Sequence, residues 1–198
     1  MSDTKKITII LITLFILLAV IYIIRSRKGT EFSGEQNMGK NGSSEEISTA
    51  IRKEKPPGFF VLVPDKPQLK IGEAGVLTVK MDTKGKIAQG ADVILKYDPL
   101  LLKALNIKSN GFFILLPRQE IDNERGMVKI TAFSPSDGID FQKENDIFSV
   151  EFEALTAGAG KVVFDWEPDE TNRSNIVEKG TVENILGSVV GADLVIVE

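Results

Sequence analysis

From residue 58 onward, apolar and polar residues alternate in short runs, and Gly, Pro, Asn or Asp separates one run from the next. A period of two marks a strand with one face in a core. The clearest case is Ile87–Tyr97, where Ala91, Val93, Leu95 and Tyr97 fall on one face and Gly90, Asp92, Ile94 and Lys96 on the other. Asp98-Pro99 ends it, because proline brings no donor to a ladder and fixes its own φ. Leu101, Leu102 and Leu105 are expected to fold the following loop back onto the core, with at most one helical turn over residues 99–105. Further strands are predicted at 59–63, at 76–82, and at 112–116, an apolar run closed by Pro117. Met127–Phe133 should turn Val128, Ile130 and Ala132 inward, and 147–154 alternates through Phe148, Val150 and Phe152. The glycine turn at 158–160 leads into 161–166, and short pieces at 176–177, 185–186 and 194–197 close the chain. The pattern predicts an all-β fold over residues 58–198, a jelly-roll β-sandwich of about nine strands.

The opening of the chain breaks this rhythm. Residues 7–24 form an uncharged apolar run of 18 residues. As a helix they reach roughly 27 Å, close to the hydrocarbon thickness of a bilayer. Lys5 and Lys6 precede the run, Arg25, Arg27 and Lys28 follow it, and Tyr22 sits near one end, where an amphipathic ring suits the interface. Residues 1–28 are therefore read as a short cytoplasmic tail and an uncleaved single-pass transmembrane helix. The competing reading is a cleaved signal peptide, against which stand the length of the run and the lack of an A-x-A-like site. Flanking charge slightly favours the C-terminal side as cytoplasmic, whereas a short N-terminus before such an anchor usually stays inside; the expectation is an extracellular globular domain on a cell membrane. Residues 29–57 are rich in Gly, Ser, Glu and Lys, bury too little to offset the entropy of ordering, and are read as a flexible polar linker.

Composition removes several chemistries. There is no cysteine and no histidine, hence no thiol catalysis, no Cys or His metal site and no nucleophile–histidine dyad. Residues 1–56 carry 9 Lys+Arg against 6 Asp+Glu, a net of +3, and residues 57–198 carry the remaining 15 against 22, a net of −7. An acidic globular part repels phosphates and argues against a nucleic-acid partner. Asp165, Glu167 and Asp169 match the first three ligand positions of an EF-hand loop, but Glu170 stands where that loop needs glycine and Ile176 where it needs its last carboxylate. No metal, no cofactor and no catalytic residue are expected; carboxylate pairs that could in principle hydrolyse a glycoside occur on any acidic sandwich.

One stretch carries more. Val93-Ile94-Leu95-Lys96-Tyr97-Asp98-Pro99, with Leu102 three places on, resembles the strand-and-turn signature of the cohesin family. Residues 126–130, 146–152, 158–164 and 191–197 resemble, in order, the later strands of that family, so the resemblance spans about residues 59–197. It implies a sandwich related to some carbohydrate-binding modules, and a binding function. Cohesins bind dockerins, calcium-holding helical modules often carried by glycan-degrading enzymes. The family's contact face includes a strand with Asn-x-Asp before the apolar run; Asp92 matches the aspartate, while Gly90 stands where the asparagine would be. Lys129, Thr131 and Ser134 fall where the neighbouring strand contributes contacts.

Without the family, alternation points Ile94 away from the core, beside Asp92, Lys96 and Thr131, as the centre of a protein-binding patch. Gly90, Asp92, Ile94, Lys129, Thr131 and Ser134 are thus the candidate partner-binding residues. A second reading is direct carbohydrate binding, for which Trp166 is the one plausible flat platform in the domain. A third is a structural domain of the cell envelope.

Overall fold

The structure is a computed structural model and describes residues 54–141 and 143–198. The expected membrane helix and most of the polar linker lie outside the described residues. Thirteen strands are present among the described residues, and no helix. They are β1 (Gly58–Pro64), β2 (Gln68–Lys70), β3 (Ala74–Asp82), β4 (Ile87–Tyr97), β5 (Leu102–Ser109), β6 (Leu115–Asp122), β7 (Met127–Phe133), β8 (Ile139–Asp140), β9 (Asn145–Ala154), β10 (Gly158–Phe164), β11 (Asn175–Glu178), β12 (Leu186–Val190) and β13 (Ala192–Val197).

Two sheets face each other. One runs β12-β1-β3-β9-β5; the other runs β2-β13-β10-β4-β7-β6, with β8 and β11 also on β4. Most pairs are antiparallel, but β1 lies parallel to β12 and β2 parallel to β13, so the first strands are sealed by the last. The alternation of the sequence is what closes the sandwich. Phe60, Val79, Phe148 and Phe152 from one sheet meet Val93, Leu95, Ile130 and Leu194 from the other, all buried. Phe60 stacks on Phe164 at 5.5 Å between centroids, and Tyr97 meets Phe152 edge-on at 5.1 Å, so both aromatic pairs bridge the two layers.

Several predicted boundaries change, and the glycines at 158–160 begin β10 rather than form a turn before it. Residues 112–116 are not a strand closed by Pro117: β6 begins at Leu115 and runs through that proline. Proline is tolerated because β6 is an edge strand paired only with β7, and the register slips between Leu115 and Arg118. The residues after Pro99 are not only a loop. Asp98 accepts from the Leu101 and Leu102 backbone N–H groups and its side chain caps Leu100, a single turn that delivers Leu102 straight into β5.

Tyr97 locks β5 to this corner. Its hydroxyl donates to Asn123 Oδ1 at 2.7 Å, and the same amide oxygen accepts from the Ala104 N–H at 2.8 Å while Asn123 Nδ2 donates to the Ala104 carbonyl. Burial raises the Tyr97 phenol above its ordinary 10.0. The unfolded phenol ionises near 10 and the folded one higher, so stability contributed by this group is intact below that pH and declines as pH climbs through the folded-state midpoint. With Tyr22 replaced by Phe, the phenolate absorbance of the remaining tyrosine should rise above pH 10; a midpoint at or below the free value would contradict a buried hydroxyl.

Candidate functional site

The outer face of β4 carries Gly90, Asp92, Ile94 and Lys96, as alternation requires. Its neighbours arrange these in rows, because register places Thr131 opposite Asp92, Lys129 opposite Ile94 and Phe133 opposite Gly90. On the next strand Arg118 lies opposite Thr131 and Glu120 opposite Lys129. The other edge of β4 is shared: β10 pairs with residues Leu95 to Tyr97, β11 with Ala88 to Asp92, and residues 165–174 loop out between them.

Asp92 is the hub of the polar row. It accepts from the Thr131 hydroxyl at 2.6 Å, from Arg118 Nη2 at 3.2 Å and from Asn175 Nδ2 at 3.1 Å. The side chains around it are committed to one another as well. Lys129 pairs with Glu120 at 3.6 Å, Lys96 with Asp165 at 2.9 Å and Arg173 with Asp165 at 2.8 Å. The face is thus densely charged yet internally neutralised.

Two site residues are not where the sequence put them. Ile94 is not an exposed patch centre: it is 6% exposed. Its side chain does leave the main core, as alternation demands, but the 165–174 loop folds over it. Ser174 Oγ accepts from the Ile94 N–H at 3.0 Å and donates to the Ile94 carbonyl at 3.1 Å, and the Asp165 N–H adds a bond to that carbonyl at 2.8 Å. Ser134 is also no surface contact, being 3% exposed. It shares the parity of Val128, Ile130 and Ala132, which face the core, rather than that of Lys129 and Thr131. Replacing Ser174 by Ala should strip the Ile94 N–H of its partner and leave the carbonyl only the Asp165 N–H, destabilise the domain by about 1–3 kcal/mol and loosen the loop. Urea unfolding and amide exchange at Ile94 would register both.

What the sequence did not reveal is an apolar hollow beside the hub. Gly90 leaves a gap on β4 that Leu115, Leu116, Phe133 and Val177 surround, a groove of about 550 Å³. Leu115 is 49% and Phe133 37% exposed, and Ile114 next to them is more open still. The signal existed: the apolar run ending at Leu116 lies on an edge strand, and Phe133 alternates outward with Thr131. Pro117 masks it, since a proline ordinarily marks the end of a strand and here lies inside β6. The missing side chain at Gly90 keeps the groove open, since a Cβ there would stand 3.1 Å from the Ala132 carbonyl oxygen and 3.4 Å from the Phe133 ring.

Trp166 lies elsewhere, half-buried at the edge of the core, with its Nε1 buried and without a hydrogen-bond partner among the described residues.

The fold is cohesin-like. It is similar to a type II cohesin in a cohesin–X-dockerin complex from Acetivibrio cellulolyticus, with 17% identity and a TM-score of 0.56 over 71% of this chain and 99% of that one. The cohesin module of a family 33 glycoside hydrolase from Clostridium perfringens matches with 12% identity and a TM-score of 0.57 over 71% and 97%. A non-cellulosomal cohesin from the hyperthermophilic archaeon Archaeoglobus fulgidus matches with 12% identity and a TM-score of 0.54 over 71% and 91%. No protein-family model and no curated protein matches this sequence.

Proposed function

We propose that this chain is a membrane-anchored binding module, held by a single-pass helix at residues 7–24 with its sandwich displayed outside the cell, which captures a dockerin-like protein module rather than catalysing a reaction. The partner belongs, on this reading, to a polysaccharide-degrading assembly. Solved neighbours of the same fold that are themselves complexes of cohesins with dockerins support it.

One observation carries the choice of face: an open apolar groove at Gly90 set beside charges that already have partners. A partner gains little by displacing a satisfied surface ion pair. It gains about 1.5–3 kcal/mol for each large apolar side chain it fully covers. Leu115 and Phe133 would supply the affinity, and Asp92, Arg118, Thr131 and Lys129 the polar rim that sets orientation. Gly90 in place of asparagine suits a partner that inserts an apolar side chain where a polar one would otherwise meet the amide.

The test is capture from source cells by the immobilised full-length chain. Leu115→Asp should weaken retention of the partner by roughly a hundredfold, with unchanged thermal unfolding because the side chain is exposed. Equal capture by the variant would move the site off this face. Asp92→Ala is expected to act differently. It strips three donors of one shared acceptor, so a stability loss of about 1–3 kcal/mol should accompany weaker capture.

A further inference from the structure

The end of the polar linker is part of the sandwich. Lys55 and Pro56 run across Gly187, where any Cβ would overlap the Pro56 carbonyl oxygen. The Gly58 N–H then donates to the Ile185 carbonyl at 2.8 Å as β1 begins. Glycine at 187 is thus what lets the linker seat on β12. Between the seated linker and the 165–174 loop lies a cavity of about 320 Å³, walled by Glu54, Lys55, Pro56, Trp166, Pro168 and Leu186, with Asp169 at its rim.

We propose that this cavity is a second binding site, one that takes a saccharide ring. The chemistry is that of sugar recognition in small. An indole and two proline rings offer flat apolar surface for the C–H face of a pyranose. Two carboxylates and an ammonium surround them with acceptors and donors for hydroxyl groups. The volume is at the low end for small-ligand sites, which run from about 300 to 1,000 Å³, and it limits the occupant to one or two rings. The site shares no lining residue with the Gly90 groove, so it stands independently of protein capture. Because Glu54 to Pro56 form one wall, an occupied cavity also clamps the end of the linker onto the domain.

The chain contains one tryptophan, so its emission reports this cavity alone. The full-length chain, held in a zwitterionic detergent without sugar headgroups, is titrated with glucose, N-acetylglucosamine and cellobiose. At least one should change Trp166 emission saturably. In the double variant Glu54→Ala, Lys55→Ala, which removes only linker side chains, that sugar should bind roughly tenfold more weakly. The thermal midpoint of the double variant should match that of the parent. Calorimetry on Trp166→Phe, which keeps a ring in the core edge, should show weakened binding as well. Absence of a saturable response to all three sugars overturns the proposal. So does a double variant that binds as tightly as the parent, since the ligand then sits elsewhere.

Discussion

Gly126→Ala is expected to cost about 4 kcal/mol. Gly126 has a φ of +62° where the 123–126 turn hands the chain to β7. An L side chain in that region costs roughly 1–2 kcal/mol by itself. Space is the larger obstacle. A Cβ there would overlap the Tyr97 carbonyl oxygen and stand 2.9 Å from Pro99 Cδ. Neither can retreat freely, because the Tyr97 N–H donates to the Gly126 carbonyl at 2.9 Å and Pro99 begins the turn that launches β5. Relief would have to come from prising β7 away from the end of β4. Against a domain stability of about 5–15 kcal/mol, that is a large fraction. Urea unfolding followed by Trp166 emission measures it; a loss below about 1 kcal/mol would mean that this corner yields easily.

Phe152→Ala should rank beside it, with a loss of about 3–5 kcal/mol. Phe152 is 1% exposed on β9, between β3 and β5 of the five-stranded sheet, opposite Gly75 on one neighbour and Ala104 on the other. Ala104 is small, and the space over Gly75 is already taken by the Leu69 side chain, 2.9 Å from where a Cβ would stand, so neither paired residue has a side chain that could fill the gap. It also meets the Tyr97 ring edge-on across the sandwich, a contact worth about 0.5–1.5 kcal/mol beyond buried area. Flanking glycine and alanine cannot lean in to close the cavity, which places the substitution at the costly end of its class. Phe152→Leu, which keeps most of the volume, should recover more than half of the loss. If the two variants unfold at the same urea concentration, the cavity argument fails.

Much of the sandwich was legible because alternation is a local code. Met127–Phe133 has the bounds the pattern gives it, and the inward residues of Ile87–Tyr97 are all buried. The code fails where a residue's surroundings come from far along the chain. Ile94 points outward as its parity requires and is buried all the same, by a loop anchored through Ser174, eighty positions later. In β5 the pairing with β9 shifts between Ala104 and Asn106, so Leu102 is buried while Leu105, expected on the core, is 41% exposed. Ser134 is the opposite case: parity alone would have assigned it to the core with Ala132, but alignment to a family's contact strand overrode the parity. The Gly90 groove was hidden for a third reason, since the absence of a side chain has no signature until the neighbours that frame it are known.

The parallel partners of β1 and β2 are β12 and β13, the last two of the described strands. A nascent polypeptide that has exposed its first hundred residues still lacks what must cover its earliest hydrogen-bonding edges. Closure of the sandwich therefore waits for residues 186–197, which favours late, all-or-none folding of this domain and leaves chains that stop short of them sticky. A stop codon placed just before β12 would be expected to yield not a slightly trimmed product but one cleared by quality-control proteases.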